Sequence, residues 1–194
     1  KLRWIMHYPS HPLYIHAMQK NIQEKMEEQS IKEEEALLLF SAHGVPQAFS
    51  CMQDPYEEDC KTSYQALAAL FPKAKSLLCY QSQFGKGVWL HPATEEIAKQ
   101  ISLHLEGKKK VLLIPLTFIS DHIETLVEIE EQYISLIKSQ GVFALRVDAL
   151  NMHPLWLEAL VSIIRTSEHV PTQMLIRPKE KVCCPLSKPG CRKK

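Results

Sequence analysis

A short apolar strand leads into Thr117-Phe118-Ile119-Ser120-Asp121-His122-Ile123-Glu124-Thr125-Leu126, and the segment runs on to Glu128. His122, Glu124 and Glu128 are three potential metal ligands within two helical turns, with Asp121 just before them. Residues 124 and 128 are four apart, a spacing that projects both carboxylates from one face of an α-helix, with His122 capping that face from the first turn. Hard oxygen ligands ending at an imidazole suit the holding or passing of a divalent metal such as iron. The same acids equally suit a solvated helix start, where negative charge meets the positive end of the macrodipole. Taken alone the segment leaves both readings open, and a second histidine decides between them.

That histidine is His43, and the fold must bring it there. Continuous apolar runs at 36–41, 76–81, 110–115 and 142–147 have the character of strands buried on both faces, as in parallel sheets. Helical patterns separate them. Ser10 and Pro12 open the first, with Ile15, Met18, Ile22 and Met26 at helical spacing. Asp54-Pro55-Tyr56-Glu57 reads as a capping box opening the second, which runs to about residue 71. A third carries Ile97, Ile101 and Leu105 and ends at Gly107, a fourth spans 121–139 and a last one spans 154–166. Strands alternating with helices predict an α/β fold, a Rossmann-like or flavodoxin-like three-layer domain with a four-stranded parallel sheet.

In a 2-1-3-4 strand order the first and third strands are neighbours, and ligands bind beyond their carboxyl ends. His43, in Ser41-Ala42-His43-Gly44-Val45-Pro46 after the first strand, then meets His122 after the third in one crevice. Gly44 and Pro46 predict a tight turn presenting the ring, and an imidazole there serves as base or metal ligand near neutral pH. The other histidines read as surface residues, or in His91-Pro92 and His153-Pro154 as parts of helix-initiating turns.

Composition narrows the class. The chain has 194 residues, 45% hydrophobic and 23% charged, enough for one domain with a real core. A net charge of +1 implies no general affinity for nucleic acid. No apolar stretch approaches the roughly 20 residues of a membrane span and no signal peptide is evident, so a cytoplasmic protein is expected. The chain starts at Lys1-Leu2-Arg3 without Met, which suggests a piece of something longer. The division expected is an α/β domain over 1–168 and a basic, Cys-containing tail over 169–194. Cys51, Cys60 and Cys79 read as small buried hydrophobes. Cys183, Cys184 and Cys191, three cysteines in nine residues with Pro and Gly turns, suit thiolate ligation of a metal cluster or a free tail with exposed thiols.

Five ordered motifs carry a resemblance. They are Ser41 to Pro46, Gln53-Asp54-Pro55-Tyr56, Tyr80-Gln81-Ser82-Gln83-Phe84-Gly85 with Trp89-Leu90, Ser120 to Leu126, and Leu150-Asn151. In this order and spacing the chain, from about Trp4 to Thr166, resembles the C-terminal half of ferrochelatase. That family inserts Fe²⁺ into a porphyrin, protoporphyrin or coproporphyrin, late in haem synthesis, in a cleft between two similar α/β halves. The resemblance implies that an N-terminal half-domain is missing here and with it part of the active site, and it allows peripheral membrane contact.

By motif, His43 matches the family's essential cleft histidine, read there as proton acceptor or metal ligand. His122 and Glu124 match an opposed His and Glu, with Glu124 expected to hydrogen-bond and orient the His122 ring. Asp121 and Glu128 match residues of the cleft or carboxylate path, and Trp89 a cleft wall against the porphyrin. Gln132 stands where some relatives carry a further acid, with Glu131 beside it. The helix from 121 is widened to a π-type stretch in some relatives. Some members also hold a [2Fe–2S] cluster on a Cys-Pro-Leu tail, although Ser187 stands here where that motif can have Cys. Two other classes fit the residues: a non-catalytic tetrapyrrole- or metal-binding module, and a related cobalt or nickel chelatase.

Overall fold

Alternation along one strand sets the layers of this molecule, whose computed structural model describes residues 3–51, 54–85, 87–166 and 170–171. Apart from a short 3-10 turn at Glu33–Glu35 and a single helical turn at Ala48–Cys51, the elements in chain order are β1 (Arg3–Trp4), α1 (Pro12–Glu28), β2 (Ala36–His43), α2 (Tyr56–Ala68), β3 (Lys75–Gln81), α3 (Thr94–Lys99), α4 (Ile101–His104) and β4 (Lys110–Pro115). A π-helix, Glu124–Ile134, then continues as α5 (Ser135–Lys138), followed by β5 (Phe143–Arg146), α6 (Pro154–Thr166) and β6 (Val170–Pro171). From β2, Ala36, Leu38, Phe40 and Ala42 enter one core with Ile22 of α1, Leu67 of α2 and Ile163 of α6. Leu37 and Leu39 point the other way, into a second core with Ile97, Ile129, Ile134 and Ile137. Successive strand side chains face opposite sides, so one apolar run serves two helical layers. Leu37, Leu38 and Leu39 are fully buried, and burial of each such side chain contributes about 2 kcal/mol.

The sheet order is β3-β2-β4-β5, every pairing parallel. That is the expected four-stranded order, with the first and third long strands adjacent. The His43 and His122 connections therefore leave neighbouring strands at the same sheet edge.

Local details depart from the sequence pattern. His11, not Ser10, occupies the N-cap of α1, while Pro12 takes the first helical position as expected. At α2, Asp54 Oδ1 accepts from the Tyr56 N–H at 3.0 Å, but the box stays open because Glu57 takes the Ser50 hydroxyl instead. The expected third helix breaks into α3 and α4 at Gln100. β1 and β6 pair antiparallel, a two-residue ribbon whose shortness leaves no period to read and which lies partly past residue 168. Cys60 and Cys79 are buried as expected, and burial pushes their thiols up, to about 12 and about 11.

The helix expected over 121–139 begins as eleven residues of π-helix. Its i→i+5 bonding changes which residues align. Ile129 and Ile134, five apart, are both buried against the sheet, and Glu128 aligns with Tyr133, whose hydroxyl donates to its Oε1 at 3.3 Å.

Candidate active site

His43 ends β2, beyond the last residue paired with β4. Two side chains take over the missing ladder contacts. The His43 N–H donates to Thr117 Oγ1 at 2.9 Å, and the Tyr56 hydroxyl donates to the His43 carbonyl at 2.7 Å. The backbone of the candidate catalytic residue is thus gripped from α2 and from the loop after β4. Burial raises the Tyr56 phenol well above its ordinary pKa, so it acts as a neutral donor. Tyr56 and Thr117 also wall a cavity of about 180 Å³ on the α1 side, with His7, Tyr14 and Cys60.

The glycine after His43 is required by close approach rather than by an unusual φ. Its N–H donates to Gln81 O at 2.6 Å, and a Cβ there would sit 2.5 Å from that carbonyl. Residues 45–47 then pair with 88–90, through Gln47 N–H to Val88 O at 2.9 Å and Leu90 N–H to Val45 O at 3.1 Å. This ribbon carries half-buried Trp89 beside the His43 loop.

Opposite stands the start of the π-helix. Glu124 Oε2 lies 3.5 Å from His43 Nε2, the two side chains 30% and 40% exposed. The expected bond from the Glu124 carboxylate to the His122 ring is not made. Instead the Glu124 backbone N–H donates to His122 Nδ1 at 3.2 Å, so His122 caps the turn and the carboxylate is free to face His43. Buried Phe118 packs near both histidine rings, its centroid 6.2 Å from that of His43 and 5.1 Å from that of His122.

Glu128 joins this group. Ser82 Oγ contacts Oε2 of both Glu124 and Glu128, and Gln81 Nε2 donates to Glu128 Oε2 at 2.9 Å. Ser82 holds this position at φ 59°, in the left-handed region, which costs a non-glycine residue about 1–3 kcal/mol. Glu131 and Gln132 are exposed on the outer turn.

Asp121 is spent elsewhere. Its Oδ1 accepts from Arg146 at 2.7 Å and from Thr125 at 3.0 Å, and its Oδ2 from Asn151 at 2.8 Å. Burial pushes this carboxyl up, but the bonds from Asn151 and Thr125 and the Arg146 charge outweigh it and hold the pKa below the ordinary value. With both oxygens engaged by Arg146, Thr125 and Asn151, Asp121 braces the helix start. Among the described residues no three His, Cys, Asp or Glu side chains converge on one closed metal cage. Cys183, Cys184 and Cys191 lie outside the described residues.

A family model for ferrochelatase matches residues 1–168. The chain belongs to the ferrochelatase family. It is 39% identical over 176 residues to the ferrochelatase of Chlamydia abortus, covering 91% of this chain and 54% of that protein. It is 36% identical over 180 residues to that of Chlamydia pneumoniae, covering 93% of this chain and 54% of that protein. The chain therefore spans about half the length of these ferrochelatases. Among solved structures it is similar to SirB from Bacillus subtilis with Fe³⁺, at a TM-score of 0.56 and 16% identity over 77% of this chain and 53% of that one. CbiX, the terminal enzyme of siroheme biosynthesis in denitrifying bacteria, aligns at a TM-score of 0.54 and 16% identity, over 82% of this chain and 59% of that one. These likenesses bear on the fold alone.

Sequence reasoning quoted Tyr56, Gln81 and Ser82 within motifs but gave them no task. A polar residue inside an otherwise apolar strand end was the available signal, since buried polar groups need partners.

Proposed function

We propose that this chain is the iron-handling half of a ferrochelatase, a metal–porphyrin lyase that inserts Fe²⁺ into a porphyrin, and that the remaining half of the active site comes from sequence outside it. The observation that carries the reading is the opposition of His43 and Glu124 at 3.5 Å, with Glu128 tied to Glu124 through Ser82. Porphyrin metallation must remove two pyrrole protons as the ion enters, so the site needs a base at the ring centre and a supply of loosely held ion. His43 accepts one pyrrole proton, the Glu124 carboxylate beside it stabilises the imidazolium that forms, and the partly exposed ring releases that proton to solvent before accepting the second. Glu128 takes hydrated Fe²⁺ and hands it inward, because hard carboxylates hold this ion without the retention that thiolates would impose. His122 holds the turn that aims Glu124, and Trp89 supplies an aromatic wall.

The test is an anaerobic assay of the full-length protein with porphyrin and Fe²⁺, Co²⁺ or Zn²⁺, following the porphyrin absorbance. Iron insertion that is lost in His43→Ala supports the reading. Turnover of none of the three ions would reject the enzyme in favour of a binding module, and turnover of Co²⁺ without Fe²⁺ would favour the related cobalt chelatase.

A further inference from the structure

Six polar residues are buried among the described ones, and four of them, Ser41, Gln81, Ser82 and Thr94, lie together beneath the carboxylates of the π-helix. Buried polar groups are costly unless every donor and acceptor is matched. Here three of them form a directed chain. Thr94 Oγ1 is 2.9 Å from Ser41 Oγ, and Ser41 Oγ donates to Gln81 Oε1 at 2.8 Å. Because the single Ser41 hydrogen goes to Gln81, Thr94 must donate to Ser41. The Gln81 amide then has its oxygen engaged below and its NH₂ above, toward Glu128 Oε2 at 2.9 Å and Glu124 O at 3.2 Å. The flipped amide would set an acceptor oxygen against a carboxylate and a carbonyl, so the chemistry permits one orientation.

We propose that Gln81 is a positioning residue for Glu128, its amide held from below by Ser41 and Thr94. This rests on the iron-delivery reading of Glu128 and deepens it. Three neutral donors, from Gln81, Ser82 and Tyr133, meet the two oxygens of one carboxylate. Glu128 is thereby set in place before the ion arrives, and its reorganisation on binding is small. Groups behind a ligand that orient it typically account for about 10–100-fold in metal affinity.

The test is steady-state kinetics of the full-length protein with Fe²⁺ and porphyrin varied separately, for wild type, Gln81→Met, Glu128→Gln and the double variant. Gln81→Met keeps the length and apolar bulk and removes the amide. It should raise KM for Fe²⁺ about tenfold while kcat and the porphyrin KM stay within about twofold, and it should add nothing in the Glu128→Gln background, because the two substitutions act through one carboxylate. Ser41→Ala should shift KM for Fe²⁺ in the same direction by less. If Glu128→Gln raises KM for Fe²⁺ and Gln81→Met does not, or does so equally in both backgrounds, the positioning role is overturned and the delivery role of Glu128 stands. If Glu128→Gln itself leaves KM for Fe²⁺ unchanged, the delivery reading falls and this proposal with it. Should Gln81→Met fail to fold, Gln81→Asn, which keeps the amide but withdraws it from Glu128, is measured under the same criteria.

Discussion

His43 Nε2 and Glu124 Oε2 face each other at 3.5 Å, although one side chain ends β2 and the other opens the helix that follows β4. The adjacency of β2 and β4 produces this meeting, and the π-helical start aims the carboxylate. An imidazole paired with a carboxylate at a cleft can take up a proton and share the resulting charge.

Replacing His43 by Ala in the full-length protein should lower the rate of porphyrin metallation by at least about 10²-fold, the usual contribution of a positioned base. Both side chains of the pair are partly exposed, so thermal unfolding should move by only a few degrees. A metallation rate within twofold of wild type would remove His43 from the chemistry.

Tyr56→Phe deletes one hydroxyl and leaves the His43 carbonyl without its donor. Stability should fall by about 1 kcal/mol, and kcat should fall several-fold with KM for Fe²⁺ unchanged, since the imidazole loses its fixed origin. Thr117→Ser should keep wild-type kinetics, whereas Thr117→Val should match Tyr56→Phe. The comparison is read from kcat and KM together with urea unfolding.

Gly44→Ala places a methyl group 2.5 Å from the Gln81 carbonyl. Backbone cannot yield cheaply there, because that carbonyl already accepts the residue's own N–H. The variant should lose about 1–3 kcal/mol and displace His43, which calorimetry and the metallation assay would both register. An undiminished Tm would show that the strand ends can part.

Asp121 bears on acid stability. Its folded pKa lies below the ordinary carboxylate value, so its stabilisation is present above the unfolded pKa of about 3.9 and disappears as pH falls through the lower folded value. Asp121→Asn should destabilise the protein at pH 7 by about 1–3 kcal/mol. Arg146 keeps Glu130 and Asp148 as partners, which limits the loss. The wild-type advantage over the variant should shrink below about pH 4, in unfolding curves taken across that range. KM for Fe²⁺ should be unchanged, and an increase would return Asp121 to the ion path.

Much of the fold was legible because its signals are local. The apolar runs that become β2, β3, β4 and β5, and the 3.6-residue period of α1, reflect burial that each segment expresses by itself. The neighbourhood of His43 and His122 followed from strand order, which parallel connections restrict to few arrangements. The helix carrying Glu124 was harder to read, since its residues suit α and π bonding alike and packing of Ile129 and Ile134 on the sheet favours the wider turn.

For this chain, then, the sequence by itself determined residue chemistry and layer order: which side chains are acids, imidazoles or apolar, and which strands alternate with which helices. Only the tertiary structure decided partnership. It turned Glu124 from His122 to His43, drew Asp121 to Arg146, and joined Glu128 to Ser82 and Gln81. The reason is physical. Periodicity follows from the repeating geometry of one segment, whereas the partner of a polar side chain depends on where separate segments come to rest in space.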